Sequence, residues 1–166
     1  MRYITLLGST GSIGTSTLDV VRRNPERFRI YALVAGQNTT LLVSQILEFQ
    51  PKVVVVATET ALDRLCIELA ASGLPKSAWP ELAWGAAARV AAAKSSEPDT
   101  VMSAIVGVTG LEATYEAVKA GKRVGLANKE VLVSAGRVVM QAVEQTGAEL
   151  IPVDSEHNGA HQCLRA

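Results

Sequence analysis

Glycine recurs at every third position in Gly8-Ser9-Thr10-Gly11-Ser12-Ile13-Gly14, directly behind the apolar run Tyr3-Ile4-Thr5-Leu6-Leu7. A chain that leaves a strand and enters a helix through so small a turn can lay its backbone against a diphosphate, and few folds offer that junction. Glycines clear side chains from the approach. The start of the following helix supplies unpaired N–H groups and the positive end of a dipole. Ser9, Thr10 and Ser12 add hydroxyl donors. The spacing is GxxGxxG where GxGxxG is commoner, so its place in the chain carries more weight than the pattern itself. A tight strand-to-helix turn without a ligand is the other reading of these residues.

The rest of the chain suits the first reading. Short apolar or β-branched runs at residues 3–7, 29–35, 53–56, 101–106, 123–126 and 149–152 alternate with helix-period segments at 13–23, 40–49, 59–72, 86–94, 111–120 and 134–146. This alternation predicts an α/β fold: a Rossmann-like, doubly wound, mostly parallel sheet with helices on both faces. Pro75 and Pro80 make residues 74–84 a loop around at most one short strand, with Trp79 and Trp84 as packing anchors. Residues 1–152 are expected to form the dinucleotide-binding domain, and 153–166 to begin a second, truncated one.

Composition removes several other functions. Basic and acidic residues balance at 16 each and aromatics make up 4%, which leaves no electrostatic footprint or stacking platform for nucleic acid. No apolar run approaches the roughly 20 residues of a membrane helix. Cys66 and Cys163 stand alone, without CxxC spacing or a disulfide framework, so a cytoplasmic setting is the default.

Three further groups sit where an open parallel sheet places its ligand crevice, just past the carboxyl ends of strands. The second strand runs into Gly36-Gln37-Asn38 with no carboxylate to read a ribose 2′-hydroxyl, so NADP(H) is expected over NAD. Asn38 also suits a helix cap. Ala127-Asn128-Lys129-Glu130 bunches an amide, a cation and a carboxylate; an ordinary surface corner with a Lys–Glu pair has the same spelling. In an extended Asp154-Ser155-Glu156, both carboxylates would point to one side and suit Mg²⁺ or Mn²⁺. An acidic cluster opening a helix, with His157 capping, is the alternative.

Taken together, the glycine loop with Ser16-Thr17-Leu18-Asp19-Val20-Val21, then Ala127-Asn128-Lys129-Glu130, then Pro152-Val153-Asp154-Ser155-Glu156-His157-Asn158 closely resemble the N-terminal part of the 1-deoxy-D-xylulose 5-phosphate reductoisomerase family. Ala32-Leu33-Val34-Ala35-Gly36 and Ala104-Ile105-Val106-Gly107 fit in order. The resemblance implies a metal-dependent rearrangement of a phosphosugar and its reduction with NADPH to 2-C-methyl-D-erythritol 4-phosphate, in isoprenoid biosynthesis by the non-mevalonate pathway. It implies that Thr10, Gly11, Ser12 and Ile13 hold the cofactor diphosphate. Gly36, Gln37 and Asn38 line its adenosine phosphate end, and Asn128 and Glu130 also meet NADPH. Lys129, Ser155 and Glu156 touch substrate, with Lys129 and Glu156 catalytic, and Asp154 and Glu156 hold the divalent metal, Mg or Mn. The full-length form is expected to be a homodimer.

Some residues depart from that pattern. Position 37 is commonly basic in the family and is Gln37 here, and Gly159-Ala160-His161-Gln162 replaces an apolar-aromatic run. The family's further metal ligand, phosphate-binding residues and mobile lid lie past Ala166, so the expectation is a chain that binds NADPH without turning substrate over. Two other functions stay open: a non-catalytic NADP(H)-sensing or assembly module, and a semialdehyde-dehydrogenase-like enzyme, which needs a catalytic cysteine beside a later strand.

Overall fold

Along the first strand, β1 (Arg2–Leu7), Ile4 and Leu6 enter one apolar core while Leu7 enters another. The second, β2 (Phe28–Val34), divides in the same way, with Leu33 in the first core and Ala32 and Val34 in the second. Period-2 alternation of that kind, apolar in both directions, belongs to strands with helices on both faces. Each fully buried Leu or Val contributes roughly 1.5–3 kcal/mol, so these two cores hold the sheet.

The computed structural model describes residues 1–165. The remaining strands are β3 (Val53–Val56), β4 (Glu81–Trp84), β5 (Thr100–Ser103), β6 (Arg123–Leu126) and β7 (Glu149–Pro152). They form one 7-stranded sheet in the order β4-β3-β2-β1-β5-β6-β7, and every neighbouring pair is parallel. The order grows outward from β1 in one direction, then returns to β5 and grows in the other. Right-handed crossovers then put the helices of the two halves on opposite faces. Helices α1 (Ser12–Arg23), α2 (Thr39–Phe49) and α3 (Glu59–Ala71) cover the first core. Helices α4 (Gly85–Lys94), α5 (Leu111–Lys119) and α6 (Glu130–Thr146) cover the second. The doubly wound sheet expected from the sequence is present.

Alanine explains the close seat of α4. Ala92 and Ala93 are buried, and the Thr5 hydroxyl of β1 donates to the Ala92 carbonyl at 3.2 Å. Larger side chains there would hold the helix off the sheet.

Several boundaries differ from the sequence expectation. The short strand allowed between residues 74 and 84 is β4, paired with β3 at the sheet edge. Trp79 packs against the first core and donates from Nε1 to the Leu74 carbonyl at 3.0 Å, whereas Trp84 is exposed at the sheet edge and belongs to neither core. The run 101–106 is a strand only to Ser103, since Gly107 at φ +74 turns the chain into a 3-10 turn, Gly107–Gly110. Helix α6 begins at Glu130, four residues before the expected start at Ser134, and is broken at Ala135. The segment after β7 is helical from Ser155, as α7 (Ser155–Arg165). Among the described residues no helix is long and apolar enough to cross a membrane.

Candidate functional site

The three glycines of the first turn do different work. Gly8 stands at φ +91, and a Cβ there would lie 2.5 Å from the Ala104 carbonyl oxygen of the neighbouring β5 segment. Gly14 lets α1 approach the loop: a Cβ would lie 2.2 Å from the Gly8 oxygen and 2.6 Å from the Ser9 carbonyl carbon. Gly11 is unlike both, since its Cβ would meet nothing nearer than 3.5 Å and its φ of −82 suits any residue. Packing within the chain therefore accounts for Gly8 and Gly14 but leaves Gly11 unexplained. A ligand that needs bare backbone at that point explains it.

Gly11 is the N-cap of α1. No side chain caps that end and no acidic residue stands in its first turn. Helices α2 and α3 are finished in the ordinary way, with Asn38 accepting from the Leu41 N–H and Thr58 accepting from the Ala61 N–H, both at 3.2 Å. A helix start stripped of cap and acid, on a loop that Gly8 and Ser9 tie to the Val34 carbonyl, is a fixed concentration of N–H donors suited to an anion. Ser9, expected from the sequence to offer a hydroxyl to the ligand, does not reach it. It is fully buried, and its carbonyl accepts from Gln45 Nε2 at 2.9 Å.

The strand order reverses between β1 and β5, and a cleft of about 250 Å³ opens at the carboxyl ends of β1, β5, β6 and β7. One side is Gly11, Ser12 and Ile13; Asn128, Lys129 and Glu130 follow from β6, and Asp154 from β7. Three motifs spread over more than a hundred residues of sequence thus meet in one place. Ile105 and Val106, after β5, complete the wall and were missed as site residues, although the carboxyl-end rule that singled out Asn128 applies to them equally.

Not every residue singled out lies in this cleft. Thr10 belongs to the loop but not to the lining, and Gly36, Gln37 and Asn38 lie exposed past β2, on the other side of β1. Ser155 and Glu156 are exposed in the first turn of α7.

Asn128 is buried and clamps its surroundings, with Nδ2 donating to the carbonyls of Ile105 and Gly107 and Oδ1 accepting the Glu130 N–H at 3.0 Å. Lys129 is exposed, and no carboxylate among the described residues pairs with it, which sets aside the surface Lys–Glu pair. The alternation argument for Asp154 and Glu156 fails, because a helical backbone at Ser155 does not set i and i+2 on one side. Asp154 instead closes the start of α7, accepting from the His157 N–H at 2.9 Å and facing His157 Nδ1 at 2.7 Å. The backbone bond from His157, joined by that ring contact, holds the Asp154 carboxyl below the usual carboxylate range. Among the described residues no three His, Cys, Asp or Glu side chains gather to hold a metal.

Sheet order, glycine turn and crevice define a doubly wound α/β domain of the dinucleotide-binding class. Sequence comparison is more specific, since a profile of 1-deoxy-D-xylulose 5-phosphate reductoisomerase matches residues 4–136. A curated 1-deoxy-D-xylulose 5-phosphate reductoisomerase from Solibacter usitatus is 69% identical over 166 residues, which is 100% of this chain and 42% of that protein. Among solved structures, the Zymomonas mobilis enzyme in complex with NADPH is 44% identical with a TM-score of 0.85, over 95% of this chain and 40% of that one. DOX-P reductoisomerase in complex with NADPH, fosmidomycin and magnesium is 37% identical with a TM-score of 0.90, over 98% of this chain and 39% of that one. The chain belongs to the 1-deoxy-D-xylulose 5-phosphate reductoisomerase family and spans about two fifths of the length of the relatives it matches. Membership displaces the semialdehyde-dehydrogenase-like reading. Cys66 lies within α3 and Cys163 within α7, neither on the cleft.

Proposed function

We propose that this chain is the NADPH-binding part of a 1-deoxy-D-xylulose 5-phosphate reductoisomerase, a cytoplasmic, homodimeric oxidoreductase and isomerase in its full-length form. The observation that carries the reading is Gly11: a glycine where a Cβ would make only an ordinary contact, at a bare helix start, between two glycines whose identity the fold itself requires.

In this reading Thr10, Gly11, Ser12 and Ile13 hold the cofactor diphosphate through the loop backbone and the start of α1. Gly36, Gln37 and Asn38, past β2, take the adenosine phosphate end. Asn128 and Glu130 border the nicotinamide side, over β5 and β6. Bound NADPH supplies the hydride that reduces the rearranged sugar. Lys129, projecting beside the cleft without a partner, offers a cation to substrate oxygens, and Ser155 and Glu156 meet the substrate from the first turn of α7.

The donor set for a divalent metal is hard oxygen, which suits Mg²⁺ or Mn²⁺. Asp154 lies on the cleft and Glu156 two residues on, and they are the chain's share of that site; the remaining ligands come from substrate, water and the family's further length. A metal held there would supply Lewis-acid chemistry to the substrate carbonyl. His157 holds Asp154 charged and oriented for this role.

Titrating NADPH and NADH by fluorescence tests the assignment. NADPH is expected to saturate and to bind at least about tenfold tighter than NADH, a difference of roughly 1.4 kcal/mol. Equal binding overturns the NADP assignment, and binding of neither overturns the reading. A non-catalytic NADP(H) sensor would bind NADPH with no response to Mn²⁺ plus substrate. Retention of Lys129, Asp154 and Glu156 at one edge of the sheet supports the enzyme.

A further inference from the structure

The Asn128 side chain, 4% exposed, has little left to offer a ligand. An asparagine amide carries two N–H hydrogens. Here Nδ2 serves two carbonyls, Ile105 and Gly107, while Oδ1 is taken by the Glu130 N–H. One side chain therefore ties the loop after β5 to the start of α6.

That loop needs such a tie. Ile105 packs, partly buried, against the second core, but Val106 is 88% exposed and Gly107 turns at φ +74. Yet Ile105 and Val106 form a wall of the cleft that also holds Gly11 and Ile13. Strand order fixes which half of a dinucleotide would meet the wall. Gly36 and Asn38 follow β2 on one flank of β1, and β5 and β6 lie on the other. A cofactor with its diphosphate at the α1 start and its adenosine toward β2 carries its nicotinamide over β5 and β6.

We infer that Asn128 is a positioning residue: its amide holds Ile105 and Val106 in place and thereby shapes the nicotinamide half of the cleft, without donating to the cofactor. The inference rests on the dinucleotide reading above.

Three variants test it. Asn128→Asp keeps an acceptor for Glu130 but sets carboxylate oxygen against two carbonyls, and Asn128→Ala removes every bond. Val106→Gly loosens the wall at an exposed position that the fold does not need. Hydrogen exchange of the ligand-free chain is read at residues 105–108, and affinity is read for NADPH and for adenosine 2′,5′-bisphosphate, which lacks the nicotinamide half. Both Asn128 variants should speed exchange in that loop by about tenfold or more. All three should weaken NADPH by about tenfold while adenosine 2′,5′-bisphosphate stays within about twofold.

Unchanged exchange in both Asn128 variants with lost NADPH binding would make Asn128 a direct contact and overturn the proposal. Equal loss of both ligands in the variants would reduce its role to general stability and also overturn it, as would unchanged NADPH affinity in Val106→Gly. Wild-type chain that binds neither ligand would instead bring down the dinucleotide reading, and this inference with it.

Discussion

Of the helices that begin at the carboxyl edge of the sheet, α1 and α7 are finished in opposite ways. Helix α1 starts at Gly11 with no capping side chain and no acid in its first turn. Helix α7 starts behind Asp154, which accepts from His157, and carries Glu156 in its first turn. Any helix start gains from an anion. At α7 the protein supplies that anion itself, whereas at α1 it leaves the position to a ligand. The cleft is thereby polarised along the sheet edge, with a donor-rich end at β1 and a carboxylate end at β7. A diphosphate and a divalent cation want those two ends respectively.

The comparison can be strained at either helix, and the largest effect is expected at the α1 loop. Gly14→Ala forces a Cβ against loop backbone and should cost about 3 kcal/mol or prevent folding, read as a fall in melting temperature. Asp154→Ala should cost about 1 kcal/mol through loss of the α7 cap, seen as fraying of that helix by NMR, and should weaken Mn²⁺ binding in the full-length enzyme. The same cap gives a pH dependence. With the Asp154 carboxyl held below its ordinary value in the fold, its contribution is complete above that ordinary value. It is lost as pH falls through the depressed one, so α7 should melt first on acidification. Smallest is Gln37→Lys, which restores a cation at the adenosine end; at an exposed position it should tighten NADPH by about 0.5 kcal/mol, less at high salt, and leave NADH unchanged.

Much of this was legible in the sequence because it follows from short-range rules. Apolar period and the placing of glycine and proline suffice for a doubly wound sheet, and the carboxyl-end rule places Asn128, Lys129 and Asp154 on a shared edge. What escaped depends on partners distant in the chain. Ser9 looks like a ligand donor, yet the fold buries it completely, with its carbonyl taken by Gln45, 36 residues on. That the Asn128 hydrogens go to the carbonyls of Ile105 and Gly107, more than twenty residues back, cannot be read from its neighbours. Asp154 and Glu156 look paired by alternation, yet a capped helix start has the same letters as an extended strand end. Composition and periodicity do not report which of two atoms a side chain finds across the fold.

The central claim is that Gly11 is glycine for the ligand and not for the fold. Gly11→Asp separates the two most directly. Aspartate is a favoured N-cap in the extended backbone found there, so the variant should be as stable or more stable, by up to about 1 kcal/mol, and melt no lower. Its charge occupies the place of the diphosphate, so fluorescence titration should show NADPH binding weakened by about a hundredfold or more, roughly 2.7 kcal/mol. A stabilised chain that no longer binds NADPH is the predicted result. Undiminished NADPH binding by the Gly11→Asp chain would contradict the account.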